Sequence, residues 1–179
     1  LWMVDENMEP VRNGCCFCDG RAAKIVDRWV EDGTCDKLFE ITGTRIFTGN
    51  QNGIVKWMEE HEPENLDRSR WLLHLKDYLF YRFTGKITTD ATDQSLIFLD
   101  QNKRDYLDET FKLCGIEKYK DKYPPVLSAK ENAFPVQKEL AKELGLGENV
   151  IVTSGPMDVS ACALGSGVVE NGHSCSIIG

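Results

Sequence analysis

The sequence predicts a mixed α/β domain. Several segments repeat apolar residues at helical spacing and end at Gly or Pro, and short apolar or β-branched runs lie between them. The 179 residues are 41% hydrophobic and 28% charged, which is typical of a globular chain. A chain of this size buries roughly two-thirds of its unfolded surface, so one domain can fold without a disulfide or a metal.

The first half of the chain predicts a β-hairpin followed by helices. The apolar runs Leu1–Val4 and Gly14–Cys18 flank a polar turn-rich segment, the pattern of two paired strands. Helical spacing then predicts four helices, over Arg21–Val30, Cys35–Ile41, Asn50–His61 and Leu72–Phe83.

The second half alternates loops, helices and strands. Lys86–Asp93 is rich in Thr and Asp and predicts an exposed connection. Apolar spacing predicts helices over Asp105–Cys114 and Pro135–Leu144, the second with Pro at its start and Gly after its end. The remaining elements are a strand over Asn149–Thr153, a helix over Asp158–Leu164 and a strand over Ser174–Ile178.

Charge and hydropathy exclude some classes of partner. With 21 basic and 29 acidic residues the formal charge is −8, which argues against nucleic acid because such partners require a basic surface. The sequence has no run of 18 apolar residues and no visible signal peptide, so we expect a cytoplasmic protein without a membrane partner. Both ends lie within apolar runs, which predicts a fragment of a longer chain.

Seven cysteines, an odd number without a secretion signal, predict free thiols rather than a disulfide framework. Free cysteines pack as small hydrophobic side chains, so we expect them to be buried. An alternative is a zinc module built from Cys15, Cys16, Cys18 and Cys35, although no second ligand pair follows at a typical spacing.

Asp158 is the main candidate for chemistry. It follows a predicted strand and the turn Gly155-Pro156-Met157, and it opens a helix of small residues. The helix dipole favours an ionised carboxylate at this point, and α/β sheets place ligands where strands end. Two roles stay open from the pattern alone: a catalytic base, or a helix N-cap.

Four segments, in order, resemble motifs of the FGGY carbohydrate kinases. Phe17-Cys18-Asp19-Gly20-Arg21-Ala22 resembles the Trp-x-Asp-x-Arg-Ala box, and residues 51–63 resemble Lys-Leu-x-Trp-Leu-x-x-x-x-Pro. Residues 76–93 are similar to the pair Asp-Tyr-Leu-x-x-x-Leu-Thr-Gly and Thr-Asp-x-Ser-x-Ala. Residues 155–165 are similar to Gly-x-x-Asp-x-x-x-x-x-x-Gly.

The resemblance implies an actin-like, ribonuclease-H-like fold and ATP-dependent phosphorylation of a sugar or polyol, with Mg²⁺ and ATP bound by the full-length protein. It implies that Asp158 is the general base and that Asp19, Arg21 and Gln51 lie near the sugar. For Asp19, two roles stay open: it accepts hydrogen bonds from sugar hydroxyls, or it pairs with Arg21 to hold the loop.

Against the family pattern, the opening Asp-x-Gly-Thr-Thr phosphate loop and the C-terminal nucleotide lobe are missing from this sequence, and Phe17 and Ile54 replace the usual Trp and Lys. We therefore expect residues 1–179 to be part of the N-terminal, sugar-binding lobe and to be inactive in isolation. The substrate expected is a pentulose or related polyol. The alternative is a non-catalytic sugar-binding or interaction module, and a homo-oligomer is possible in either case.

Overall fold

The computed structural model describes residues 1–147 and 149–178. The strands there are β1 (Trp2–Val4), β2 (Trp71–Leu73), β3 (Thr89–Asp90), β4 (Leu99–Asp100), β5 (Asp105–Tyr106), β6 (Val126–Leu127), β7 (Ala133–Pro135) and β8 (Ile151–Thr153). The helices are α1 (Ala23–Glu31), α2 (Thr34–Thr42), α3 (Gln51–His61), α4 (Pro63–Arg68), α5 (Leu75–Thr84), α6 (Ala91–Gln94), α7 (Asp108–Leu113), α8 (Lys138–Glu143) and α9 (Asp158–Gly165). A 3₁₀ turn spans Glu117–Lys122.

The strands pair two by two. β1 pairs antiparallel with β2, with Met3 opposite Leu72, and β3 pairs parallel with β6. β4–β5 and β7–β8 are antiparallel pairs. This mixture of helices with parallel and antiparallel strands confirms the mixed α/β class.

Apolar packing holds the first two-thirds of the chain together. Phe98 and Phe111 stack with ring centroids 4.0 Å apart, and Tyr123 packs edge-on against both rings. Helices α1 and α3 contribute Trp29 and Met58 to the same core, as their spacing predicts. Ring pairs of this kind add to the stabilisation from area burial.

The predicted hairpin at the N-terminus is wrong. The partner of β1 is β2, almost 70 residues later in the chain, and residues 13–16 form no strand. This segment contacts the β1 region at Cys15, which exchanges two backbone hydrogen bonds with Leu1, of 2.9 and 2.8 Å. Apolar alternation identified β1, but it could not identify a partner so distant in sequence.

Five further predictions need correction. Leu72–Phe83 is not one helix, because its first residues belong to β2 and His74 separates them from α5. Lys86–Asp93 is not an exposed connection: it contains the buried strand β3. Ser174–Ile178 forms no strand and is exposed. Two predicted helices also begin too early. The predicted helix Asp105–Cys114 starts with β5, which precedes α7, and the predicted helix Pro135–Leu144 starts with Pro135, which belongs to β7 rather than to α8.

Among the described residues, no helix has both the length and the apolar composition that crossing a bilayer requires.

Candidate active site

A cavity of about 470 Å³ lies between the N-terminal segment and the first residues of α3 and α5. Aromatic and apolar side chains form most of its wall, including Trp2, Phe17 and Phe47. Gln51 and His74 supply polar side chains to the wall. Ligand cavities in proteins have this volume range and this combination of apolar walls with few polar groups.

The cavity wall depends on a close backbone approach at Gly49. A Cβ atom on Gly49 would lie 1.7 Å from the carbonyl oxygen of Phe17 and 2.9 Å from Cε2 of Phe47. No side chain fits there, so the glycine allows the two wall segments to touch.

Gln51 and His74 each carry a polar atom that is buried and has no partner among the described residues. The Nε2 of Gln51 donates to the Leu73 carbonyl oxygen (3.2 Å), which leaves its Oε1 without a donor. The Nε2 of His74 is likewise without a partner. Burial lowers the pKa of His74 to about 4, so the imidazole is neutral at physiological pH.

Asp19 and Arg21 lie outside this cavity and bind each other. The Arg21 Nε lies 2.9 Å from Asp19 Oδ1, and the hydrogen bond from Arg21 lowers the pKa of Asp19. The Arg21 guanidinium also stacks 4.9 Å from the Trp57 ring centroid and lies 3.7 Å from Glu62. The structure shows the ion pair that holds the loop, and a sugar contact at these two residues stays a prediction.

Asp158 is exposed at the first position of α9. Met157 occupies the N-cap position, so Asp158 does not cap the helix. Its Oδ1 accepts a hydrogen bond from the next backbone N–H, of Val159, at 2.8 Å. The carboxylate is therefore accessible to solvent at the N-terminus of a helix.

Two polar tethers hold the loop that precedes Asp158. The Nζ of Lys76, near the start of α5, donates to the Gly155 carbonyl oxygen at 2.7 Å. The Met157 N–H donates to Thr92 Oγ1 at 2.8 Å, and the Thr92 hydroxyl in turn donates to Asp90. Residues 155–157, called the base loop after the predicted role of Asp158, are thus fixed to α5 and α6 by hydrogen bonds.

Beneath the base loop, Asp77, Asp90 and Asp93 bring carboxylate oxygens within 4.8 Å of one another. Lys76 forms ion pairs with Asp90 and, at 2.8 Å, with Asp93. Burial raises the pKa of Asp90, but hydrogen bonds from Lys76 and Thr92 outweigh it and the net pKa is lowered. Burial also raises the pKa of Asp77 to about 8, so this carboxyl is protonated at neutral pH.

The carboxylate trio does not fit a magnesium ion. Mg²⁺ requires ionised or strongly polar oxygen ligands in an octahedral shell that retains several waters. Here the Asp77 carboxyl is protonated, and the Lys76 ammonium group already lies against both Asp90 and Asp93, where its positive charge opposes a second cation. Asp90 and Asp93 therefore hold Lys76 and Thr92 in place for the base loop, and Asp77 accepts a hydrogen bond from the His74 N–H at the start of α5.

Three residues of the site were missed in the sequence: His74, Lys76 and Thr92. His74 fell inside a segment predicted as one helix, and Thr92 inside a segment predicted as an exposed connection. The Thr-Asp and Lys-Asp-Tyr pattern was visible, yet only the fold brings its side chains to the loop before Asp158.

Comparison with known proteins gives the class of this domain. The sequence profile described as "FGGY family of carbohydrate kinases, N-terminal domain" matches residues 1–165. The chain belongs to this family.

Relatives agree with that assignment. Erythritol kinase of Brucella abortus is 32% identical over 180 residues, covering 99% of this chain and 35% of the relative. A xyloylose kinase from Brucella ovis superposes with a TM-score of 0.83 at 28% identity, covering 96% of this chain and 35% of that structure. A ligand-bound xylulose kinase from Lactobacillus acidophilus gives a TM-score of 0.85 at 20% identity, covering 93% and 34%.

These structures have the actin-like fold of sugar kinases, which confirms the predicted fold. The chain spans about a third of the length of the relatives it matches.

Proposed function

We propose that the longer protein containing this chain transfers the γ-phosphoryl group of ATP to a hydroxyl of a ketose or polyol, with Asp158 as general base. One observation carries the proposal. Helix α5 joins the cavity to the carboxylate, because His74 and Leu75 line the cavity while Lys76 binds the base loop. A substrate in the cavity and a base at Asp158 would thus both depend on the start of α5 for their position.

The chemistry asks little of the protein beyond positioning and charge. The substrate hydroxyl oxygen bonds to the γ-phosphorus, its proton passes to the Asp158 carboxylate, and the bond to the leaving ADP breaks. The accessible position of Asp158 at the N-terminus of α9 suits such a base. Mg²⁺ bound to the nucleotide would belong to parts of the longer protein outside this chain.

The cavity supports a small polyhydroxylated substrate. Trp2, Phe17 and Phe47 offer flat apolar surfaces to the C–H face of a sugar. The free acceptor of Gln51 and the neutral ring of His74 offer hydrogen-bond partners to hydroxyls once these side chains turn toward the ligand. The relatives named erythritol kinase and xylulose kinase favour a polyol or pentulose of four or five carbons.

The experiment is ATP consumption by the full-length protein on a panel of ketoses and polyols. The variant Asp158→Asn is compared with Asp36→Asn, which changes an exposed carboxylate in the first turn of α2. We expect turnover of one substrate to fall by about 10²–10⁴-fold in Asp158→Asn and to stay unchanged in Asp36→Asn.

The other outcomes are informative. Turnover that survives Asp158→Asn contradicts the role of the base. Sugar binding without turnover in the full-length protein favours the non-catalytic binding module. We also propose that residues 1–179 alone do not consume ATP, and activity of the isolated chain would contradict this.

A further inference from the structure

Two exposed thiols meet at the mouth of the cavity. The Sγ atoms of Cys16 and Cys18 lie 2.8 Å apart, and both side chains are exposed. Cys15 is buried instead, and its Sγ accepts a hydrogen bond from Arg12. The prediction of buried thiols therefore holds for Cys15 and Cys114, but it is wrong for this pair and for Cys162 and Cys175, which are also exposed.

A chain turn brings the two sulfurs together. Phe17 and Cys18 form the turn, and the Asp19 N–H donates to the Cys16 carbonyl oxygen at 3.1 Å. Among the described residues no third thiol or imidazole joins the pair within ligand distance, which leaves the zinc alternative without a ligand set. A disulfide needs the sulfurs to approach from 2.8 Å to about 2.05 Å, a small movement for two exposed side chains.

The contact between the thiols also favours reaction. The neighbouring Cys18 thiol lowers the pKa of the Cys16 thiol, and the thiolate is the form that reacts. The pair thus has the two parts of an oxidisable dithiol: a sulfur that attacks an oxidant and a neighbour that resolves the product.

We propose that Cys16 and Cys18 form a reversible disulfide that controls access to the cavity, with a hydroperoxide as oxidant. The Cys16 sulfur bonds to one peroxide oxygen and the O–O bond breaks, which gives a sulfenic acid and water or an alcohol. The Cys18 sulfur then attacks the Cys16 sulfur and displaces the second water. Two thiols lose two electrons and two protons, the peroxide takes them up, and a dithiol reductant reverses the change.

The disulfide acts on the cavity through its wall. Cys16 and Phe17 both line the cavity, and the Phe17 carbonyl oxygen lies directly against Gly49. The disulfide would tie Cys16 to Cys18 on either side of Phe17, and the close contact with Gly49 leaves Phe17 little room to adjust to that restraint. We expect sugar affinity to fall in the oxidised protein, and this part rests on the proposed function.

The chemical step is tested by peptide mapping of the full-length protein. Trypsin releases Asn13–Arg21, which carries all three cysteines of this region. After treatment with hydrogen peroxide and alkylation, we expect this peptide to carry one label, on Cys15, and otherwise to be about 2 Da lighter for two lost hydrogens. Reduction before alkylation restores three labels.

Variants separate this reaction from general oxidation. Cys18→Ser leaves Cys16 without a resolving thiol, so a sulfenic-acid reagent should label Cys16 in this variant and not in the parent sequence. Cys162→Ser, which removes a single exposed thiol on α9, should leave the one-label peptide unchanged. Three labels after peroxide, or a label lost from Cys15, overturns the proposal.

The effect on the cavity has its own readout. In the active full-length protein we expect oxidation to raise KM for the sugar by roughly fivefold or more with a smaller change in kcat, and Cys16→Ser to abolish that response. A mapped disulfide with unchanged KM overturns the control of access. If the protein has no kinase activity, equilibrium sugar binding replaces KM, and the peptide result stands independently of the proposed function.

Discussion

The cavity and the base loop are held by different forces. The cavity sits against a core in which Leu72, Ile97 and Phe98 are almost fully buried, whereas α9 has no buried residue and is fixed through hydrogen bonds to its preceding loop. Apolar packing is indifferent to pH and gives a preformed shape. The polar tethers fix the geometry of the base loop, but their strength depends on protonation states and on single polar atoms. The domain therefore combines a packed cavity wall with a carboxylate, Asp158, whose position depends on a few polar tethers.

We expect the largest effect from a substitution at Gly49, in the packed wall of the cavity. In Gly49→Ala the new methyl group collides with the Phe17 carbonyl, and backbone must move, so we expect a loss of about 1–3 kcal/mol in the free energy of unfolding and a distorted cavity. Urea unfolding and sugar binding measure the two effects.

Gly20→Ala is the matched control, because its Cβ meets nothing within 4 Å. We expect it to stay within about 0.5 kcal/mol of the parent sequence. Equal effects of the two substitutions would show that the close approach at Gly49 does not shape the cavity.

The polar cluster beneath the base loop is tested through the protonated carboxyl of Asp77. Its pKa is about 8 in the fold against an ordinary value of 3.8, so this residue makes stability fall as pH rises from about 4 to 8. His74, with a pKa of about 4 against 6.5, acts in the opposite direction between those two values. The contributions of Asp77 and His74 to the free energy of unfolding oppose each other below pH 6.5. Between pH 6.5 and 8 we expect the free energy of unfolding to fall by up to about 1.4 kcal/mol per pH unit.

Asp77→Asn imitates the protonated acid and should make stability nearly flat between pH 6.5 and 8. His74→Asn should instead extend the fall down to about pH 4. Denaturant unfolding at a series of pH values measures both, and a fall that persists in Asp77→Asn contradicts the buried protonated acid.

The smallest expected effect is the loss of one tether. Thr92→Val keeps the shape of the side chain but removes the oxygen that accepts from Met157 N–H and donates to Asp90, at a cost of about 1 kcal/mol. Hydrogen exchange at Met157 should accelerate while core amides stay protected, and kcat should fall with little change in KM.

Thr92→Ser restores the hydroxyl and should recover both kcat and Met157 protection. Rescue by serine distinguishes positioning of the base loop from a general packing role of the side chain. If valine and serine behave alike, the tether has no part in placing Asp158.

Prediction from sequence succeeded where local pattern decides structure. The helices α1, α2 and α3 followed from apolar spacing, and α9 from the turn before Asp158. It failed at His74, because two strand residues continue a helical pattern without a break, and at Thr89–Asp90, because polar residues buried by long-range pairing resemble a loop. Of the residues predicted for the site, the structure places Gln51 in the cavity wall and Asp158 at the start of α9, and their roles stay predictions, whereas Lys76 was quoted only as part of a motif and given no role.

By itself the sequence determined the α/β class, the family and the carboxylate at a helix start, since these depend on residues close together in the chain. Only the tertiary structure decided that β1 pairs with β2 and that Lys76 reaches Gly155. It also decided that the exposed thiols of Cys16 and Cys18 are in contact at the cavity mouth. Those arrangements arise from contacts that local spacing does not encode, because burial and hydrogen-bond satisfaction are properties of the whole packed chain.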